Sequence, residues 1–109
     1  MEFQALQQRA LAIRQQYAAW EQGQYGRSWT RAELVLGLVG DVGDLVKLAM
    51  AHEGVRRIPD KETKLAHELA DCLWSLIVIA ANYDIDLEQA FLDTMDALEH
   101  HLRDSGSML

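Results

Sequence analysis

Apolar positions recur every three or four residues along most of the chain, and no run alternates apolar and polar positions as a half-buried strand would. That period predicts four helices. In the first, over about residues 3–20, Phe3, Leu6, Ala10, Ile13, Tyr17 and Trp20 form one seam, while Gln7, Gln8, Arg9, Arg14, Gln15 and Gln16 lie off it. The segment 21–29 carries Gly23 and Gly26 and reads as a connection. Thr30, followed three residues later by Glu33, is a capping-box signature; it starts a second helix that runs to about Glu53 and stops at Gly54. A loop with Arg56, Arg57 and the single proline, Pro59, leads to Asp60 as the cap of a third helix ending near Asn82. Asp86 caps a fourth, with Gln89 at the reciprocal position and Leu87, Phe91, Met95, Leu98 and Leu102 as its buried stripe. Residues 1–104 thus read as a single helical domain and 105–109 as a flexible tail.

The third helix is unusual. From Leu69 to Ala81 it is apolar on almost every side, the pattern of a helix enclosed by others. A four-helix chain of 109 residues rarely encloses one of its own helices. The expected fold is therefore an all-α four-helix bundle whose core is completed by oligomerisation.

A polar stripe crosses these apolar surroundings. Lys64, Glu68, Asp71, Ser75 and Asn82 follow one another at four, three, four and seven residues, so they line one face. The second helix repeats the device with Asp41 and Asp44, three apart among Leu36, Leu38, Val39, Val42, Leu45 and Val46. Gly37, Gly40 and Gly43 share the same turns, each costing about 1 kcal/mol of helix propensity relative to alanine. Close approach of another helix or of a ligand would account for them. Two facing helices with such carboxylate pairs would place four negative charges in one cleft. Hard oxygen donors without cysteine favour Mg²⁺ or Mn²⁺ over zinc, and such ions couple carboxylates to phosphate oxygens and assist water attack on a phosphoryl group. The same spacings also suit ordinary ion pairs, Asp44 with Lys47 and Glu68 with Lys64.

Composition narrows the partners. Seventeen acidic residues against ten basic give a net charge of −7, which argues against a nucleic-acid polymer. The lone Cys72 excludes an intramolecular disulfide and a cysteine-based zinc site, and reads as a small buried hydrophobe. Met1-Glu2-Phe3-Gln4 lacks the basic start of a secretion signal, and the apolar run 69–81, broken by Asp71 and Ser75, is short for a bilayer span. A cytoplasmic protein without a membrane partner is expected. His67 with Asp71 lacks the second histidine of a zinc-protease helix, neither acidic pair has the Glu-x-x-His of a di-iron bundle, and His52, His100 and His101 show no ligand spacing.

Leu38-Val39-Gly40-Asp41-Val42-Gly43-Asp44-Leu45, followed by His67-Glu68-Leu69-Ala70-Asp71-Cys72-Leu73-Trp74, resembles the MazG-type all-α nucleoside triphosphate pyrophosphohydrolases. The resemblance continues through Ile79-Ala80-Ala81-Asn82 and Ile85-Asp86-Leu87-Glu88-Gln89-Ala90-Phe91, covering roughly residues 30–98. It implies that Asp41, Asp44, Glu68 and Asp71 hold Mg²⁺ against a triphosphate, which water cleaves between the α and β phosphates. It also implies a homodimer or homotetramer. Lys64 stands where family members often place a phosphate-binding base, and Lys47 and Asn82 are further substrate-binding candidates. Arg56 and Arg57 either neutralise a triphosphate tail or are solvated; Tyr25 and Trp29 either stack on a base or staple the second helix; Trp74 reads as core. Two departures stand out: the first acidic pair is usually glutamate, and the Lys and Asn common after Phe91 are absent among Thr94, Met95, Ala97 and Leu98. They support a rival reading, a non-catalytic dimerisation or nucleotide-sensing module.

Overall fold

A computed structural model describes residues 2–106. The four helices are α1 (Phe3–Tyr25), α2 (Arg31–His52), α3 (Lys61–Asn82) and α4 (Leu87–Asp104), with no strand among the described residues. The chain is all-α, as the apolar period predicts. Of the expected tail, Ser105 caps α4 and Gly106 takes a φ of 72°, while 107–109 lie outside the described residues.

Helix ends show where local rules held. Thr30 Oγ1 accepts from the Glu33 N–H at 3.2 Å and the Glu33 carboxylate accepts from the Thr30 N–H at 3.0 Å, so the capping box is complete. Arg27 pairs with the same Glu33 carboxylate. The first helix, however, continues past Trp20 to Tyr25, through Gly23, and ends where Gly26 adopts a left-handed φ of 73°. A lone glycine costs a helix only about 1 kcal/mol, and Glu21, inside the added turn, is held by Arg14 and by the Trp29 N–H. Asp60 precedes α3 but does not cap it: its φ of 55° departs from the extended backbone that aims a capping oxygen at the first-turn N–H groups. Asp86 does cap α4, accepting from the Gln89 N–H at 3.0 Å, but the Gln89 amide donates onward to Asp93 rather than back.

α2 and α3 form an antiparallel hairpin. Ser75 Oγ donates to Asp41 Oδ2 at 2.8 Å, and at one end the Arg31 guanidinium lies 4.7 Å from the Tyr83 ring centre. Among the described residues the buried apolar core comes from these two helices: Leu48 and Ala51 from α2, and Ile77, Val78 and Ala80 from α3. α1 crosses α3, where Trp74 Nε1 donates to the Ala10 carbonyl at 3.0 Å and packs its ring on Tyr17. α4 packs mainly on α3, and none of its described residues is buried, so its apolar stripe is present but unburied in the single chain.

This core is thin. Leu36 and Val39 on α2 are 69% and 68% exposed, and Leu69, Leu73 and Leu76 form an exposed row on α3. The radius of gyration is 17.5 Å, against about 13 Å for a compact domain of this length. The accessible surface is 8226 Å², whereas a folded monomer of this mass exposes about 6,100 Å². One chain does not enclose α3.

At 22 residues, α3 passes for a bilayer-spanning helix by length and composition, a broader apolar window than the run 69–81. It carries Glu68 and Asp71 near its middle, however, and an acidic side chain at a bilayer centre costs about 3 kcal/mol.

Candidate functional site

The hairpin brings the two acidic pairs together. Asp41 is half-buried and held by Ser75. Glu68, also half-buried, has one oxygen, Oε2, sealed from solvent with no hydrogen-bond partner. Burial, then the charges of Asp71, Asp44 and Asp41, push its carboxyl above the ordinary 4.5, with only His67 acting the other way. Carboxylates from both helices thus share one electrostatic neighbourhood. The His67 imidazole lies 3.1 Å from Asp71 Oδ2, and one ligand atom from each of His67, Glu68 and Asp71 falls within 4.8 Å of the others. Asp44 is exposed, with the Lys47 ammonium 4.0 Å away.

A buried carboxylate oxygen without a donor, surrounded by like charges, costs free energy that a cation relieves. The donors are hard oxygens with one imidazole at the edge, a set that suits Mg²⁺ or Mn²⁺. The sequence set His67 aside because the zinc-protease spacing fails; its proximity to Glu68 was legible from their adjacency on one helix.

The other candidates are dispersed. Lys64 is exposed with no ion pair within 4.0 Å among the described residues, so the intrahelical bridge to Glu68 does not form. Asn82 donates its amide to the Val78 carbonyl at 2.8 Å, two turns beyond Ser75. Arg56 and Arg57 are exposed and line a separate cavity at the α2–α3 loop. A Cβ added at Gly37, Gly40 or Gly43 would meet nothing within 4 Å, so no helix of the same chain approaches them closely. Cys72 is half-buried, and burial together with Asp41, Glu68 and Asp71 pushes its thiol up, keeping it protonated.

Beside the carboxylates lies a cavity of about 580 Å³ between α1, α2 and α3, lined by Tyr17, Trp29 and Trp74 and joined to the acidic cluster by Asp41. Trp74, read from the sequence as core, is a wall of this cavity. Trp29 stacks on Tyr25 with ring centres 5.8 Å apart and lies under the Arg27 guanidinium. The same wall carries Arg14 and Glu21. Glu21 is 3% exposed; it accepts two bonds from Arg14 at 2.8 Å and one from the Trp29 N–H at 3.0 Å. The Arg14 hydrogen bonds hold its carboxyl below the ordinary range against the opposing effect of burial. Sequence reasoning placed Arg14 off the apolar seam of α1; its i, i+7 relation to Glu21, two turns along one helix face, was the available signal.

Residues 30–103 match the family model described as the MazG nucleotide pyrophosphohydrolase domain. Over 82 residues the chain is 38% identical to a mouse (Mus musculus) protein, dCTP pyrophosphatase 1. The aligned part is 71% of this chain and 45% of the mouse protein, so the chain spans less than half the length of that relative.

Proposed function

The chain belongs to the MazG nucleotide pyrophosphohydrolase family, and on that premise we propose that it hydrolyses a nucleoside triphosphate to the monophosphate and pyrophosphate. The observation that carries this reading is the convergence of Asp41, Asp44, Glu68 and Asp71 beside an aromatic cavity, with a buried Glu68 oxygen left without a partner. These four carboxylates would hold Mg²⁺, with Mn²⁺ as a substitute, and the ion would supply charge neutralisation at the phosphate oxygens and a more acidic water. Ser75 fixes the orientation of Asp41 on the side that opens into the cavity. One of the carboxylates takes the proton of the attacking water. Lys64, one turn before Glu68, and Lys47, beside Asp44, would meet phosphate oxygens in this reading, with Asn82 further along α3. Tyr17, Trp29 and Trp74 stack against the base, as aromatic walls do for any nucleobase. The relative's name makes dCTP the first substrate to try.

A homodimer or homotetramer completes the core in this reading. The single chain exposes about 2,100 Å² more than a folded monomer of its mass, from 8226 Å² observed and about 6,100 Å² expected. Removing that excess from each of two chains gives an interface in the obligate class. The exposed rows on α2 and α3, and the unpacked stripe of α4, provide apolar surface for it. The domain, spanning residues 1–104, works in the cytoplasm in this proposal, with neither a nucleic-acid polymer nor a membrane as partner.

Pyrophosphate release from a panel of ribo- and deoxyribonucleoside triphosphates, with and without Mg²⁺ or Mn²⁺, tests the activity. Metal-dependent release that Asp71→Asn abolishes supports it; equal release from Asp71→Asn overturns the site. One observation favours a second reading. Asp41 and Asp44 are a methylene shorter than glutamate, and Asp44 is exposed beside Lys47. Tight nucleotide binding without release by folded protein would identify a sensing module instead.

A further inference from the structure

The aromatic walls of the cavity explain affinity for a base but not a choice among bases, because every base has a π face. Choice requires polar groups at a base edge. Besides Asp41 and the three aromatic residues, four polar side chains line the cavity. Ser75 is committed to Asp41, and Glu33 to its cap and to Arg27. Arg14 and Glu21 remain, the most deeply buried charged pair in the described chain, with side chains 13% and 4% exposed.

Burial of such a pair needs a reason, since apolar residues of similar volume in its place are often as stabilising. Glu21 binds both terminal nitrogens of Arg14 and is itself pinned by the Trp29 N–H, so the guanidinium plane is held in one orientation. A guanidinium has five N–H donors. Two go to Glu21, and the other three have no partner among the described residues. Glu21 Oε2 accepts a single bond and keeps a free acceptor site. The wall therefore presents fixed donors next to an acceptor.

We propose that Arg14, held by Glu21, reads the edge of the nucleobase and makes the cavity prefer cytosine among the pyrimidines. Cytosine offers its N3 acceptor to the second Nη1 N–H of Arg14, and its N4 amino group is a donor for the adjacent Glu21 Oε2. Uracil and thymine carry an N3–H that meets the guanidinium donor against donor, and an O4 that meets the carboxylate acceptor against acceptor. The assignment rests on the nucleotide reading of the cavity given above, but not on turnover.

The test is therefore binding. Tryptophan fluorescence follows titration with the uncleavable α,β-imido analogues of dCTP and dUTP in the presence of Mg²⁺. The proteins are the full chain, Arg14→Lys, and the double variant Arg14→Met/Glu21→Leu, which leaves no unpaired buried charge. The wild-type protein is expected to prefer the cytosine analogue by about 5- to 150-fold, the range of a bidentate contact to a base edge. Both variants are expected to lose most of that preference while still binding the uracil analogue and melting cooperatively. A purely structural ion pair would leave the ratio unchanged. The proposal is overturned if the wild type shows no preference, if neither analogue binds, or if the folded double variant keeps the preference. Selective binding without pyrophosphate release would sustain it and remove the hydrolase reading instead.

Discussion

Replacing Glu68 by glutamine separates a cation site from a chance gathering of acids. The change keeps the shape, removes one charge, and gives the buried oxygen position an amide beside it that donates to neighbouring carboxylates. Glu68 and Asp71 place ligand oxygens within 4.8 Å of each other. At that distance Coulomb's law gives a repulsion of about 0.9 kcal/mol at the dielectric constant of water and about 3.5 kcal/mol at an effective value near 20. Asp71 is 33% exposed and partly offset by His67, so the lower end applies, about 1 kcal/mol. For a domain of this size that is about 4–8 °C in Tm. Without metal, Glu68→Gln should therefore melt above the wild type. With Mg²⁺ at a hundred times its Kd, the wild type should gain about 2.7 kcal/mol and the variant much less, so the order reverses. Thermal melts in chelator and in Mg²⁺, at one protein concentration, read both effects. A variant that melts lower in chelator, or the same Mg²⁺ shift in both proteins, refutes the reasoning.

Three further outcomes follow from other residues. Arg14→Ala leaves Glu21 buried and unpaired and should cost about 3–5 kcal/mol, read from the urea midpoint. Because the Glu21 carboxyl is held below its ordinary 4.5 in the folded chain, its stabilisation is whole above pH 4.5 and is lost as pH falls through the lowered value. Urea midpoints between pH 7 and pH 3 should show that acid limb, and Glu21→Gln should flatten it. Phe91→Glu combined with Leu98→Glu places charges on the unpacked stripe of α4 and should leave a monomer by light scattering without loss of helix content.

The features legible in the sequence were those set by local rules. The capping box at Thr30, the ends of α2 and α3, and the side-by-side carboxylate pairs all follow from spacings of three and four residues. What escaped depends on contacts beyond those three- and four-residue spacings. Glu21 looks like a helix-ending polar residue until Arg14 and the Trp29 N–H are seen around it, and α1 continues past it to Tyr25. Trp74 reads as core because nothing in its own helix reveals a cavity between α1 and α2. Asp60 fails as a cap because the loop delivers it in a left-handed conformation, which residue type alone does not disclose.

Gly43 carries the question of assembly furthest. Its neighbours on the helix surface, Leu36 seven residues before, Val39 four before, Val46 three after and Met50 seven after, are all exposed. A Cβ there meets nothing in its own chain, so in an isolated chain alanine would be better by about 1 kcal/mol. A glycine kept at the centre of an uncovered apolar face has a use only if another surface comes close to it. Gly43→Ala should therefore weaken self-association, measured by sedimentation equilibrium, while the dilute, dissociated chain melts higher than the wild type. An unchanged association constant with a higher Tm at every concentration would mean that this face of α2 meets only solvent. In the proposed oligomer the contact would then run through the exposed Leu69, Leu73 and Leu76 of α3 instead.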